Sequence, residues 1–263
     1  MQLAAPSEHR TSWILISEDG TTKRFEIAPG DPFRAKLPAG VFALQAEEES
    51  NRFHVIVGPA RCYLPPWYVE GQRPWGISTH LYALRHRGGA GMGDLETLRQ
   101  YAETVECLGG KFAGIRPLHH LFPVDRSRVS PYQPSDRRFI DPMYIDIASL
   151  LSTFSCERSQ SLAQKNQSVL MRLEQLKTID YAAVWTKKVK ILKQVHADFR
   201  GHADFDRFVA NGGAVLARHC AHEVKTAGEA SSPLLLRYHA FLQWVADHQL
   251  ARAAQSKNLY MDL

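Results

Sequence analysis

From Trp13 to Val57, apolar and polar positions alternate in short β-rich runs, WILI, RFEI, VFAL and FHVIV, interrupted by the turn residues EDG and EEESN. A period of two sends every second side chain to one face, so these runs predict two hairpins. We expect a small antiparallel, β-sandwich-like domain over residues 1–64, with Pro65, Pro66 and Pro74 marking a linker over 65–74. Beyond the linker the rhythm changes. Trp75–Leu84 (WGISTHLYAL) predicts a buried strand, RGGAGMG a loop, and Asp94 the N-cap of a helix. Leu95, Leu98, Tyr101 and Val105 recur at helical spacing until Gly109 and Gly110 supply a stop.

Lys111–Leu118 (KFAGIRPL) predicts a second strand, and strand, helix, strand calls for a parallel pair with a right-handed crossover. Leu162–Val224 reads as several helices, one of them capped by Asp180 with Trp185, Val189, Leu192, Val195 and Phe199 on one face. Phe241, Trp244 and Val245 begin a further helical stripe, and NLYMDL has the pattern of a third strand. The predicted class is α/β, with no internal repeat and no low-complexity tract.

Composition narrows the function classes. Of the 263 residues, 44% are hydrophobic and 22% charged, the profile of a globular chain rather than a disordered one. A net charge of +5 raises nucleic acid as a partner, but the basic residues are interleaved with acids and form no dense stripe, so none is expected. Cys62, Cys107, Cys156 and Cys220 lie far apart, without a CxxC pair or a zinc-spaced His; they read as reduced, mostly buried thiols, and no metal is expected. The start, MQLAAPSEHRTSW, lacks an apolar signal core, and no run reaches the roughly 18 apolar residues of a membrane span, so the expected compartment is the cytoplasm.

Two segments are candidates for chemistry. RGGAGMG lacks both GxxxxGK[ST] and an in-register GxGxxG, and a mobile loop after a strand explains its glycines as well as a phosphate cradle does. Gly114–Asp146 holds five prolines and five arginines among aromatics, too proline-rich for a helix or central strand, which predicts a rigid loop. Tyr132, between Pro131 and Pro134, suits a ring that packs on the C–H face of a pyranose; a Tyr packed beneath its own loop is the competing reading. His119 and His120 are expected in surface or packing roles rather than as metal ligands.

WGISTHLYALRHRGGAGMGDLETL followed by GIRPLHHLFPVDRSRVSPYQPSDRRFIDPMYIDI resembles glycoside hydrolase family 77, the amylomaltase or disproportionating enzymes, at their first two barrel strands. ARCYLP, IDYAAVWTKKVKILKQVHADF and HAFLQWVADHQLARAA are similar to further family segments, so the resemblance covers about residues 11–263. It implies that residues 75–263 are the first part of an incomplete (β/α)8 TIM barrel, with a helical insertion at about 150–230. The implied activity is retaining transfer of α-1,4-glucan segments between malto-oligosaccharides, by a carboxylate nucleophile and a second carboxylic acid, without a cofactor.

In the family these carboxylates follow the third barrel strand, so no catalytic residue is expected in this chain, which would be inactive alone. The alternative is a non-catalytic α-glucan-binding fragment, or half of a split enzyme whose partner is the C-terminal half. The resemblance implies substrate contacts by Tyr132, with Ser130, Pro131 and Gln133 shaping its loop. His80 stands where many members have Gln, and a buried His bonded to backbone competes with a sugar contact there. Asp262 matches an aspartate at the end of strand three that would meet sugar hydroxyls. Arg116 and Asp141 stand where the family pattern has Asn; two readings of Arg116 compete, a bond to Asp125 or Asp94 and relaxed selection on a non-functional copy.

Overall fold

The computed structural model describes residues 11–28, 30–31, 34–47, 52–65, 68, 71–154, 157–256 and 258–262. The chain divides into two compact units, residues 1–72 and 73–263.

In the first unit, β1 (Thr11–Ser17), β2 (Thr22–Ile27), β3 (Gly40–Ala46) and β4 (Arg52–Val57) form one antiparallel sheet of order β2-β1-β3-β4. The two hairpins are present, joined by the central β1–β3 pair. Alternation explains the face that is buried: Trp13 and Leu15 from β1 meet Phe42, Leu44 and Ala46 from β3, with Ile27 beside them. Among the described residues this is a single sheet rather than the two stacked sheets of a sandwich.

The second unit is mixed α/β. Its sheet is parallel, β5 (Gly76–Thr79), β6 (Phe112–Ile115) and β9 (Leu259–Met261), in the order β5-β6-β9. The helix α1 (Leu95–Cys107) connects β5 to β6. Asp94 caps it with a full capping box: its carboxylate accepts from the Thr97 amide, and the Thr97 hydroxyl accepts from the Asp94 amide. Gly109, at φ +83°, lets the chain turn out of the helix.

The first strand departs from expectation. β5 is four residues long and not buried, with Ile77 44% exposed, because the chain leaves the sheet at Thr79 and coils into a 3-10 turn at Leu81–Ala83. RGGAGMG is packed and hydrogen-bonded to the end of the Glu157–Glu174 helix. Ala90 and Met92 are buried, Arg85 Nη2 donates to the carbonyls of Glu174 and Leu176, and the Gly88 amide donates to Glu174.

The helices α2 (Ile147–Phe154), α3 (Glu157–Glu174), α4 (Tyr181–Asp198) and α5 (Ala203–Thr226) precede α6 (Pro233–Ala253), which packs against α1 and α5. Asp180 caps α4 as its position implied. The buried face of α4 runs through Val184, Lys188, Ile191, Leu192 and Val195, leaving Trp185 and Val189 half-buried. Lys188 hid that stripe from a hydrophobic reading. Its Nζ donates to the carbonyls of Met143 and Ile145; burial lowers its pKa, against the opposing pull of Asp94, Asp146 and Asp141.

The proline-rich segment is not a plain loop. β7 (His119–His120) and β8 (Asp136–Ile140) pair antiparallel across it, because its prolines flank these strands instead of interrupting them. His119 and His120 are both buried rather than on the surface. Cys62 and Cys107 are exposed and only Cys220 of the described cysteines is buried, against the expectation of mostly buried thiols; Cys156 lies outside the described residues.

Candidate functional site

The three parallel strands finish in register at Thr79, Ile115 and Met261. The Arg116 amide donates to Thr79 O at 3.0 Å and the Asp262 amide to Ile115 O at 3.0 Å, so His80, Arg116 and Asp262 emerge side by side from the carboxyl ends. This edge is where parallel α/β sheets collect ligand-binding side chains, because the loops leaving the strands diverge there.

Arg116 Nη1 lies 3.3 Å from Asp262 Oδ2, with both side chains partly exposed. The expected partners of Arg116 are engaged elsewhere: Asp94 is buried against His86 and capping α1, and Asp125 accepts from Ser127. In the Asp94–His86 contact burial raises the Asp94 pKa, but His86, Lys188 and the Thr97 amide outweigh it and leave the carboxyl at about 2.

Tyr132 stands on the same edge. Its ring meets His80 edge-on at 6.2 Å between centroids, and His80 in turn stacks on Tyr82 at 4.8 Å. The turn that carries Tyr132 closes when the Gln133 amide donates to Ser130 O; Pro131 is buried beneath, while Tyr132 is 49% exposed rather than packed under its own loop. His80 is half-buried, and burial followed by the charge of Arg116 lowers its pKa, which keeps the imidazole neutral. Its backbone carbonyl accepts from Thr79 Oγ1 and the Ala83 amide.

The footing of this wall joins Asp141 and His120 to Arg126, Glu223, Gln243 and Gln249, which the sequence did not single out. Asp141, 1% exposed, accepts from the Leu121 amide, the Met143 amide and Arg126 Nη1, and Arg126 lies over the Trp185 ring at 4.3 Å. On α5, Glu223 Oε2 lies 2.9 Å from His120 Nε2, both side chains almost fully buried. Burial alone would lower the His120 pKa and raise that of Glu223; their mutual attraction, with Asp141 acting on His120, reverses both directions. On α6, Gln243 donates to and accepts from the backbone of Ile140, and Gln249 does the same at Asp146. A polar residue inside the apolar stripe of α6 was the available signal for these two.

Among the described residues no group of three His, Cys, Asp or Glu side chains could hold a metal ion, and no helix is long and apolar enough to cross a membrane.

A parallel βαβ sheet with aromatic and ionic side chains gathered at its carboxyl edge defines an α/β protein, the class in which ligands commonly meet the strand ends. Within that class, the family model of glycoside hydrolase family 77, described as 4-alpha-glucanotransferase, matches residues 79–234, and the chain belongs to this family. The 4-alpha-glucanotransferase of Haemophilus influenzae is 29% identical over 220 residues, covering 81% of this chain and 30% of that protein. That of Mycobacterium tuberculosis is 29% identical over 301 aligned positions, covering 94% and 41%. The crystal structure of amylomaltase from Corynebacterium glutamicum superposes with a TM-score of 0.75 at 24% identity, covering all of this chain and 43% of that one. The chain thus spans 30–41% of the length of these curated relatives.

Proposed function

We propose that this chain supplies the α-glucan-contacting wall of a 4-α-glucanotransferase, an enzyme that moves α-1,4-glucan segments between malto-oligosaccharides by a retaining double displacement. The observation that carries the reading is the convergence of Tyr132, His80, Arg116 and Asp262 on the carboxyl edge of one parallel sheet. An exposed Tyr face packs on the C–H face of a glucose ring, and its hydroxyl, the His80 imidazole and the free oxygen of Asp262 are hydrogen-bonding groups for sugar hydroxyls. Ser130, Pro131 and Gln133 hold the Tyr132 turn.

Retention requires two carboxyl groups about 5–5.5 Å apart, one as nucleophile and one as acid/base. The wall offers Asp262, which is tied to Arg116, so it binds and orients glucan without cleaving it. In this reading the chain is the opening part of a TIM-type barrel, with residues 75–263 carrying the sugar wall and residues 1–64 an accessory β domain. The catalytic pair comes from a C-terminal half.

The test is titration of the chain with acarbose and with maltoheptaose by calorimetry, alongside a glucose-release assay on maltotriose. Binding that weakens about tenfold in Tyr132→Ala, with no glucose released by the wild type, is the expected result. Unchanged binding in Tyr132→Ala, or transfer by the chain alone, would overturn it.

A further inference from the structure

We propose that Arg126 and Asp141 are a positioning pair that holds the Tyr132 turn in its place on the sheet edge, acting as one unit in which neither charge works alone. The sugar readout below rests on the proposed glucan wall; the loop readout does not.

The excursion from Leu118 to Asp141, which follows β6 and carries β7 and β8, is closed at its neck by Asp141 itself. The Asp141 amide donates to Leu118 O at 2.9 Å, Oδ2 accepts from the Leu121 amide at 2.9 Å, and Oδ1 accepts from the Met143 amide at 2.8 Å. One carboxylate therefore fastens both the outgoing and the returning strand. These bonds need only an acceptor, and a neutral amide oxygen can serve part of them.

The charge of Asp141 has a different partner. Arg126, in the outgoing half and six residues before Tyr132, reaches back so that Nη1 lies 2.7 Å from Asp141 Oδ2. Both side chains are at least nine-tenths buried, at 4% and 1% exposure. The remaining Arg126 nitrogens, Nε and Nη2, have no hydrogen-bond partner among the described residues, and the guanidinium lies over Trp185 of α4. The loop is thus anchored through a planar cation held between one carboxylate and one indole.

Removing one member strands the other's charge in a buried site, which costs more than removing both. Rescue by the double neutral variant therefore separates a charge unit from two independent packing residues.

The experiment measures amide exchange by mass spectrometry, and acarbose affinity, on the full chain as wild type, Asp141→Asn, Arg126→Met, the double variant and Tyr132→Ala. Each single charge variant is expected to exchange at least about tenfold faster across residues 121–135, with the sheet of residues 11–57 unchanged as internal reference. The double variant should return to within about threefold of wild type. Acarbose affinity should fall in the singles and recover in the double, which loss of general stability would not produce.

Wild-type exchange in both singles, or a double no better than the worse single, overturns the pair. If Asp141→Asn does not fold, comparison of Arg126→Met with the double decides by the same criterion. If acarbose binding is absent, or indifferent to Tyr132→Ala, the glucan wall fails while the exchange pattern still decides the pair.

Discussion

Arg116–Asp262 and Arg126–Asp141 are both arginine–aspartate pairs, and they differ in almost everything but their chemistry. Arg116–Asp262 joins neighbouring strand ends at 3.3 Å in partial exposure, while Arg126–Asp141 closes the loop neck at 2.7 Å away from water. Water competes for the first pair and screens it; the second has no such solvent to fall back on. The exposed pair is therefore free to exchange partners with a ligand, and the buried one is committed to architecture.

The largest expected effect breaks the buried side. Asp141→Ala should destabilise the second unit by about 3–5 kcal/mol in urea unfolding, because it leaves the Arg126 charge and two backbone amides without their acceptor. A loss no larger than that of an exposed pair would erase the contrast.

An intermediate effect comes from His120–Glu223, a second buried ion pair. The His120 pKa is raised above its ordinary 6.5, so its contribution is full below 6.5 and is lost as pH rises through the higher folded value. Glu223 is lowered below 4.5, so its contribution is present above 4.5 and is lost as pH falls through the folded value. Stability from this pair should peak between pH 4.5 and 6.5. His219 and His239, both lowered to about 4 chiefly by burial, face the same pair and stay neutral in that window. Thermal unfolding across pH should show the peak in wild type and a flatter profile in Glu223→Gln; identical profiles would refute the assignment.

The smallest effect sharpens the exposed side. Arg116→Gln should change stability by less than about 1 kcal/mol, with the difference shrinking further in added salt. A larger, salt-insensitive loss would mean that Arg116 is structural as well.

How much of this was legible in the sequence follows the same divide. Periodicity exposed the two hairpins, the parallel strands and α1, since Trp13 and Leu15 or Leu95 and Leu98 announce a buried face by spacing alone. Asp94 and Asp180 were readable as caps because capping is local. The SPYQ turn was recognisable through its prolines and its motif. Lys188, Glu223, Gln243 and Gln249 were not, because each meets backbone or side chains far away in sequence, and a polar residue in a helix ordinarily signals a solvent face. The partner of Arg116 was missed for the same reason: Asp262 is 146 positions away and becomes its neighbour only when β9 joins β6.

The clamp of the glycine-rich turn on the end of α3 has a dynamic consequence. Arg85 occupies the carbonyl of Glu174, the last residue of that helix, and that of Leu176 just beyond it, while the Glu174 side chain receives the Gly88 amide, so each element completes the other's hydrogen bonding. Residues 85–93 and the last turn of α3 should open together as one cooperative unit, with matched protection factors, although eighty residues of chain separate them.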